Sequence, residues 1–174
     1  MIALMPRIRR PRVGAVFGIP VGDGRFGIGQ VLSYDHLNLY YVAVLRAIVS
    51  DTTALSVDHA LRAEVECLVG CTLEGVELGL WPALGELPPA GQSLPRPCYL
   101  IVTPEGGKQV VSFDGSRKRE ATPVEAALLR PRTTHSSGIL VDAVRAIAGQ
   151  RAWDERLGAI RMSAIAEQAS VCPG

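Results

Sequence analysis

The chain has 174 residues, 48% of them hydrophobic and 20% charged, with 18 lysines and arginines against 17 aspartates and glutamates. That much apolar surface offsets the ordering entropy of one domain and argues against general disorder. A formal net charge of +1 excludes a global field that would draw the molecule onto nucleic acid or a membrane, so any such binding rests on local patches.

The opening, MIALMPRIRRPR, holds Arg7, Arg9, Arg10 and Arg12, broken by Pro6 and Pro11, and residues 1–12 read as a basic, solvated tail with phosphate binding as the alternative. It lacks the order of a signal peptide, and no stretch reaches the roughly 20 apolar residues of a spanning helix, so the expected location is the cytoplasm. Met5 is as good a start as Met1.

Residues 13–34 are two apolar, β-rich runs separated by Gly22-Asp23-Gly24, a hairpin signal because such a turn needs positive φ angles. Gly27 and Gly29 alternate along the second run, where a missing side chain permits a sharp bend or the close approach of another strand. The run from Leu39 to Val49 favours a buried strand by its length and its aromatic and branched content. Asp51 to His59 carries turn residues, with Ser56 as a cap for a short helical turn. From Ala63 to Val69 both readings stay open: Val65, Cys67 and Val69 alternate, while Leu61, Val65 and Leu68 fit helical spacing.

After Leu78–Leu87 comes the loop PPAGQSLPRP. Tyr99–Thr103 and Gln109–Phe113 then form a second hairpin around residues 104–107, and Asp114-Gly115 makes the next turn. Thr122-Pro123-Val124-Glu125 predicts a helix start with Thr122 as cap, Pro123 at the first helical position and Glu125 at the third. A second helix starts near Ser136 or Ser137, runs through ILVDAVRAIA and stops at Gly149. Residues 150–174 read as a partly helical extension with Trp153 as its large anchor. The expected fold is one mainly β (α+β) domain over residues 13–149: a strongly bent antiparallel sheet or small SH3-like barrel with about two peripheral helices.

Little in the chain points to catalysis. Gly22, Gly24 and Gly27 satisfy G-x-G-x-x-G, but a strand pattern follows where a dinucleotide site needs a helix. Asp35-His36 and Asp58-His59 pair a carboxylate with an imidazole, yet adjacent residues seldom face each other, and His36, His59 and His135 read as loop or cap residues. Cys67, Cys71, Cys98 and Cys172 show no zinc-site spacing; Cys67 and Cys98 read as small buried hydrophobes, and no disulfide is expected without a targeting signal. Trp81 reads as a core residue, with an exposed partner anchor as the alternative. Arg117, Lys118 and Arg119 are expected to project from the loop after Asp114-Gly115, towards an acidic partner or solvent. No cofactor, metal or catalytic set is expected.

Four segments in order, VGAVFGIPVGDGRFGIGQVL, LWPALGELP, FDGSRKREATPVEA and HSSGILVDAVRAIA, resemble the immunity-protein-26 family of bacterial polymorphic toxin systems over roughly residues 13–148. The chain departs from that pattern at Ala15, where an acidic residue is common, at Ala83, where a bulkier apolar one is, and from about residue 150 onward. The resemblance implies a non-enzymatic immunity protein that binds a cognate toxin and blocks it by occlusion, with no catalytic residues to carry over. On expected exposure, the partner-binding candidates are Asp23, Arg25, Asp35, His36, Arg117, Lys118 and Arg119. The rival readings are a nucleic-acid-binding barrel that uses the arginine tail and Arg117–Arg119, and an enzyme with a pocket lined by Asp35, His36 or His59.

Overall fold

In the computed structural model, residues 10–34, 39–53, 58–89 and 94–172 are described, and they form a mainly β fold of two antiparallel sheets with helices around them. The larger sheet holds β1 (Ala15–Pro20), β2 (Phe26–Tyr34), β3 (Tyr40–Val49), β4 (Val65–Cys71) and β5 (Ala83–Glu86), in the order β4-β3-β2-β1-β5. The smaller sheet is β6 (Cys98–Val102), β7 (Lys108–Ser112) and β8 (Lys118–Glu120), in chain order. Five helices lie wholly within the described residues: α1 (Glu74–Glu77), α2 (Pro123–Leu128), α3 (Gly138–Ile147), α4 (Glu155–Gly158) and α5 (Met162–Ser170).

The β1–β2 hairpin forms where its turn residues predict it, with Gly22 and Gly24 at φ 107° and 86°. The ambiguous run at 63–69 resolves as strand, because β4 pairs with β3 along almost its whole length and turns Leu68 and Cys67 into separate cores. Thr122 and Glu125 make the reciprocal capping box at the start of α2, and Gly149, at φ 74°, ends α3. The Ser56 cap lies outside the described residues.

Closure into a barrel is not found. β4 and β5 remain the outer strands of the larger sheet, while register shifts within β1–β5, β2–β3 and β3–β4 bend it. The helices also exceed the expected two. α3 lays Ile139, Leu140, Ala143 and Val144 on the main core with Phe17, Ile19, Val42 and Val44. Gly27 is where it comes closest: a Cβ there would lie 2.2 Å from Val144 Cγ1, so the strand glycine admits a helix rather than another strand. Trp81 is 8% exposed and stacks on Phe17 at 6.0 Å, as a core residue.

Residues 150–172 contribute to the same body. Leu157 and Ile160 enter the main core, and the Ile160 carbonyl accepts from Leu68 N–H at 2.9 Å, covering the β4 edge. Arg161 reaches the buried Glu66 carboxylate at 2.7 Å and lies over Trp153, while Arg46 holds the other Glu66 oxygen at 2.5 Å. Cys98 on β6 and Cys172 after α5 are joined by a disulfide, with Cα atoms 6.1 Å apart. This corrects the expectation of Cys98 as a free buried thiol: the residue is buried, but its partner is 74 positions away and no local pattern announces it. Among the described residues no helix is long and apolar enough to cross a membrane.

Candidate functional site

The site grows from the turn after β7. Gly115 takes φ 75°, and Asp114 Oδ1 accepts hydrogen bonds from Ser112 Oγ (2.6 Å), Ser116 N (3.0 Å) and Ser116 Oγ (2.8 Å). Burial pushes the Asp114 carboxyl up, but these donors outweigh it and hold the group down at about 2. The turn sends β8 back along β7, with Val110 opposite Arg119 and Val111 opposite Lys118. Arg117 is tied to Ser112 both ways, its carbonyl accepting from Ser112 N and its own N–H donating to Ser112 Oγ, each at 3.0 Å. Arg117–Arg119 therefore lie along an outer strand and its entry, not on a free loop; two-residue alternation puts Arg117 and Arg119 on one face with Ser112 and Val110.

An open cleft of about 610 Å³ lies against this strand, lined by Arg96, Arg117, Lys118 and Arg119, by Asp114, and by the Cys98–Cys172 pair. Arg96 stands over the Phe113 ring at 5.4 Å, a cation–π contact that sets its position. Arg119 is held by the Glu125 carboxylate through two hydrogen bonds, one of them 2.7 Å, and Glu125 also accepts from Thr122 N at 2.9 Å. The Arg119 guanidinium first, then the Thr122 N–H, lower the Glu125 carboxyl to about 2. Among the described residues no ion pair involves Arg96, Arg117 or Lys118, so these three cations, set against Asp114, carry the charge that the cleft offers a ligand.

The other candidates lie elsewhere. Asp23 accepts from Arg25 Nε (2.8 Å) and from Gln150 Nε2 (2.7 Å), so the β1–β2 turn is latched onto the chain just after α3; Arg145 Nε adds a bond to the Val21 carbonyl at 2.9 Å. The Arg25 hydrogen bond lowers the Asp23 carboxyl. Neither Asp23 nor Arg25 lines the cleft. Asp35 and His36 fall outside the described residues. His59 is exposed on a helical turn, and His135 sits in an extended segment whose carbonyl accepts from Thr72 N; burial, then Arg156, lowers the His135 imidazole. Among the described residues no group of three or more His, Cys, Asp or Glu is placed to hold a metal.

A second cavity, about 20 Å³, is lined by Tyr34, Tyr40, Tyr41, Tyr99 and Phe113 with Arg132 nearby, and has room for about one water. Several lining residues of the larger cleft escape sequence reasoning, Arg96 and Cys172 most plainly. Arg96 lies in the proline-rich loop and Cys172 in the extension, and both reach the site through tertiary contacts that no spacing encodes. No family model matches the chain, and neither a curated protein nor a solved structure matches it.

Proposed function

We propose that this chain acts by binding rather than catalysis, as an immunity-type protein that occludes a partner protein; the four-segment resemblance makes that partner a toxin. The observation that carries the reading is the gathering of Arg96, Arg117 and Lys118 around one open cleft, in a chain whose net charge is only +1. Such a patch selects an acidic surface, and local charge of this kind contributes to encounter rate and partner choice more than to raw affinity. Phe113 and Val110 add apolar area beside the cations, a mixture suited to a protein surface. Asp114 in the lining and Glu125 on Arg119 interrupt the positive run that a phosphate backbone favours, which weighs against nucleic acid. The cytoplasm is the location this reading assumes.

The test is a pull-down of tagged protein from its own cells beside the double variant Arg117→Glu/Lys118→Glu, with and without nuclease, and mass spectrometry of what is retained. The reading expects one protein at near-equal molar amount on the unaltered chain, insensitive to nuclease and lost from the variant. Loss of every partner after nuclease treatment transfers the cleft to nucleic acid. Equal retention by the variant removes the cleft from the interface.

A further inference from the structure

Cys98 and Cys172 line the cleft that carries Arg96, Arg117 and Lys118, so a disulfide and a cationic pocket share one wall. We infer that the cleft is a binding and exchange site for a small thiol bearing carboxylates, which opens the Cys98–Cys172 disulfide from the Cys172 side. The proposal uses the same cleft and cations as the partner reading above, but its assay needs no partner protein.

Three observations point to it. The volume, about 610 Å³, falls within the range of small-ligand pockets, roughly 300–1,000 Å³. The cations attract both the carboxylates of such a ligand and its attacking thiolate, and they line the same cleft as the thiolate that the reaction releases. The two sulfurs also differ in access: Cys98 is 6% exposed on β6, whereas Cys172 is half-buried after α5, so attack from the cleft falls on Cys172. The remaining cysteines, Cys67 and Cys71, are enclosed by β4 and the main core. Burial pushes both of those thiols up, Cys67 to about 12, and leaves them inert.

The exchange balances in two steps. The ligand thiolate bonds to Cys172 Sγ while the Cys98–Cys172 bond breaks and its electron pair leaves on Cys98. A second ligand thiolate then attacks the ligand sulfur of that mixed disulfide, releasing the oxidised ligand dimer and the Cys172 thiolate. The two protons of the ligand thiols end on Cys98 and Cys172. Opening the bond removes one link between α5 and β6 and leaves another, the Gln168 Nε2 bond to the Cys98 carbonyl at 2.6 Å. The loosened wall then belongs to the cleft itself.

The experiment compares reduction rates with glutathione, which carries net negative charge, neutral 2-mercaptoethanol and cationic cysteamine. Each rate is divided by that of the same thiol on the chain unfolded in urea, which removes intrinsic reactivity. At low salt the normalised glutathione rate is expected to exceed that of cysteamine by about tenfold, the low end of electrostatic steering. The gap should close near about 0.5 M salt, where screening is short-ranged. Arg117→Glu/Lys118→Glu should reverse the order, and peptide mapping should find glutathione on Cys172. Equal normalised rates, a mixed disulfide on Cys98, or four free thiols in the purified protein would overturn the inference. No partner protein enters the assay, so a failed pull-down leaves this result intact and the reverse also holds.

Discussion

The side chains of β1–β4 that face α3, among them Phe17, Ile19, Val42 and Val44, are wholly buried, whereas β8 in the smaller sheet is exposed at each of its three residues. The larger sheet is tuned for close approach. Besides Gly27 against Val144, a Cβ on Gly29 would meet the Phe17 ring at 2.7 Å, and beside the sheet one on Gly75 in α1 would meet the Trp81 ring at 2.3 Å. The smaller sheet has only a small apolar cluster, Cys98, Leu100, Val110 and Leu129, and leans more on polar and covalent ties: the capping box, the Arg119–Glu125 pair, the Asp114 turn and the disulfide. Dense packing leaves no room for a ligand, while a sheet stapled at its margins can keep an open charged face. The difference explains why the candidate site belongs to the smaller sheet.

The largest expected effect comes from the staple. Replacing Cys172 by Ser removes a crosslink of 74-residue separation and should cost about 4 kcal/mol in urea unfolding on chain-entropy grounds. A loss below about 1 kcal/mol would mean that the smaller sheet stands without it. Next, Gly27→Ala drives a methyl into Val144 and should cost about 2 kcal/mol, the scale of overpacking. Adding Val144→Ala should recover part of that loss, and strict additivity would break the account of close helix approach. Thr122→Ala removes half of the capping box and should cost about 1 kcal/mol, read as a lower thermal midpoint.

Acid sharpens the same contrast. Glu125, held near 2 against an ordinary 4.5, contributes stability that is complete above about pH 4.5 and is lost as pH falls towards 2. In Arg119→Met the carboxyl should titrate closer to its ordinary value by carbon-detected NMR; an unchanged titration would assign the shift to Thr122 alone. The smallest effect is Lys118→Ala, which should change stability by less than about 0.5 kcal/mol, since the residue is exposed on an outer strand. A larger loss would make Lys118 structural.

Legibility in the sequence followed the range of the interactions. The β1–β2 hairpin, the α2 cap and the Gly149 stop were readable because glycine φ freedom and the Thr-x-x-Glu spacing act within four residues. The cationic run at 117–119 was readable as charge, but its place on an outer strand was not, since β8 exists only through its register with β7. The run at 63–69 was undecided because both periodicities fit it, and pairing with β3 settled the matter.

The sequence by itself determined that the chain folds, that β structure dominates, and where its turns and helix starts fall, because those depend on composition and on neighbours a few residues apart. Only the tertiary structure decided that the larger sheet stays open, that Arg96 and Cys172 join Arg117 and Lys118 at one cleft, and that Asp23 and Arg25 are engaged with each other and with Gln150. The physical reason is distance along the chain: Cys98 and Cys172 are 74 residues apart, and a contact of that span is chosen by the packing of every element between them.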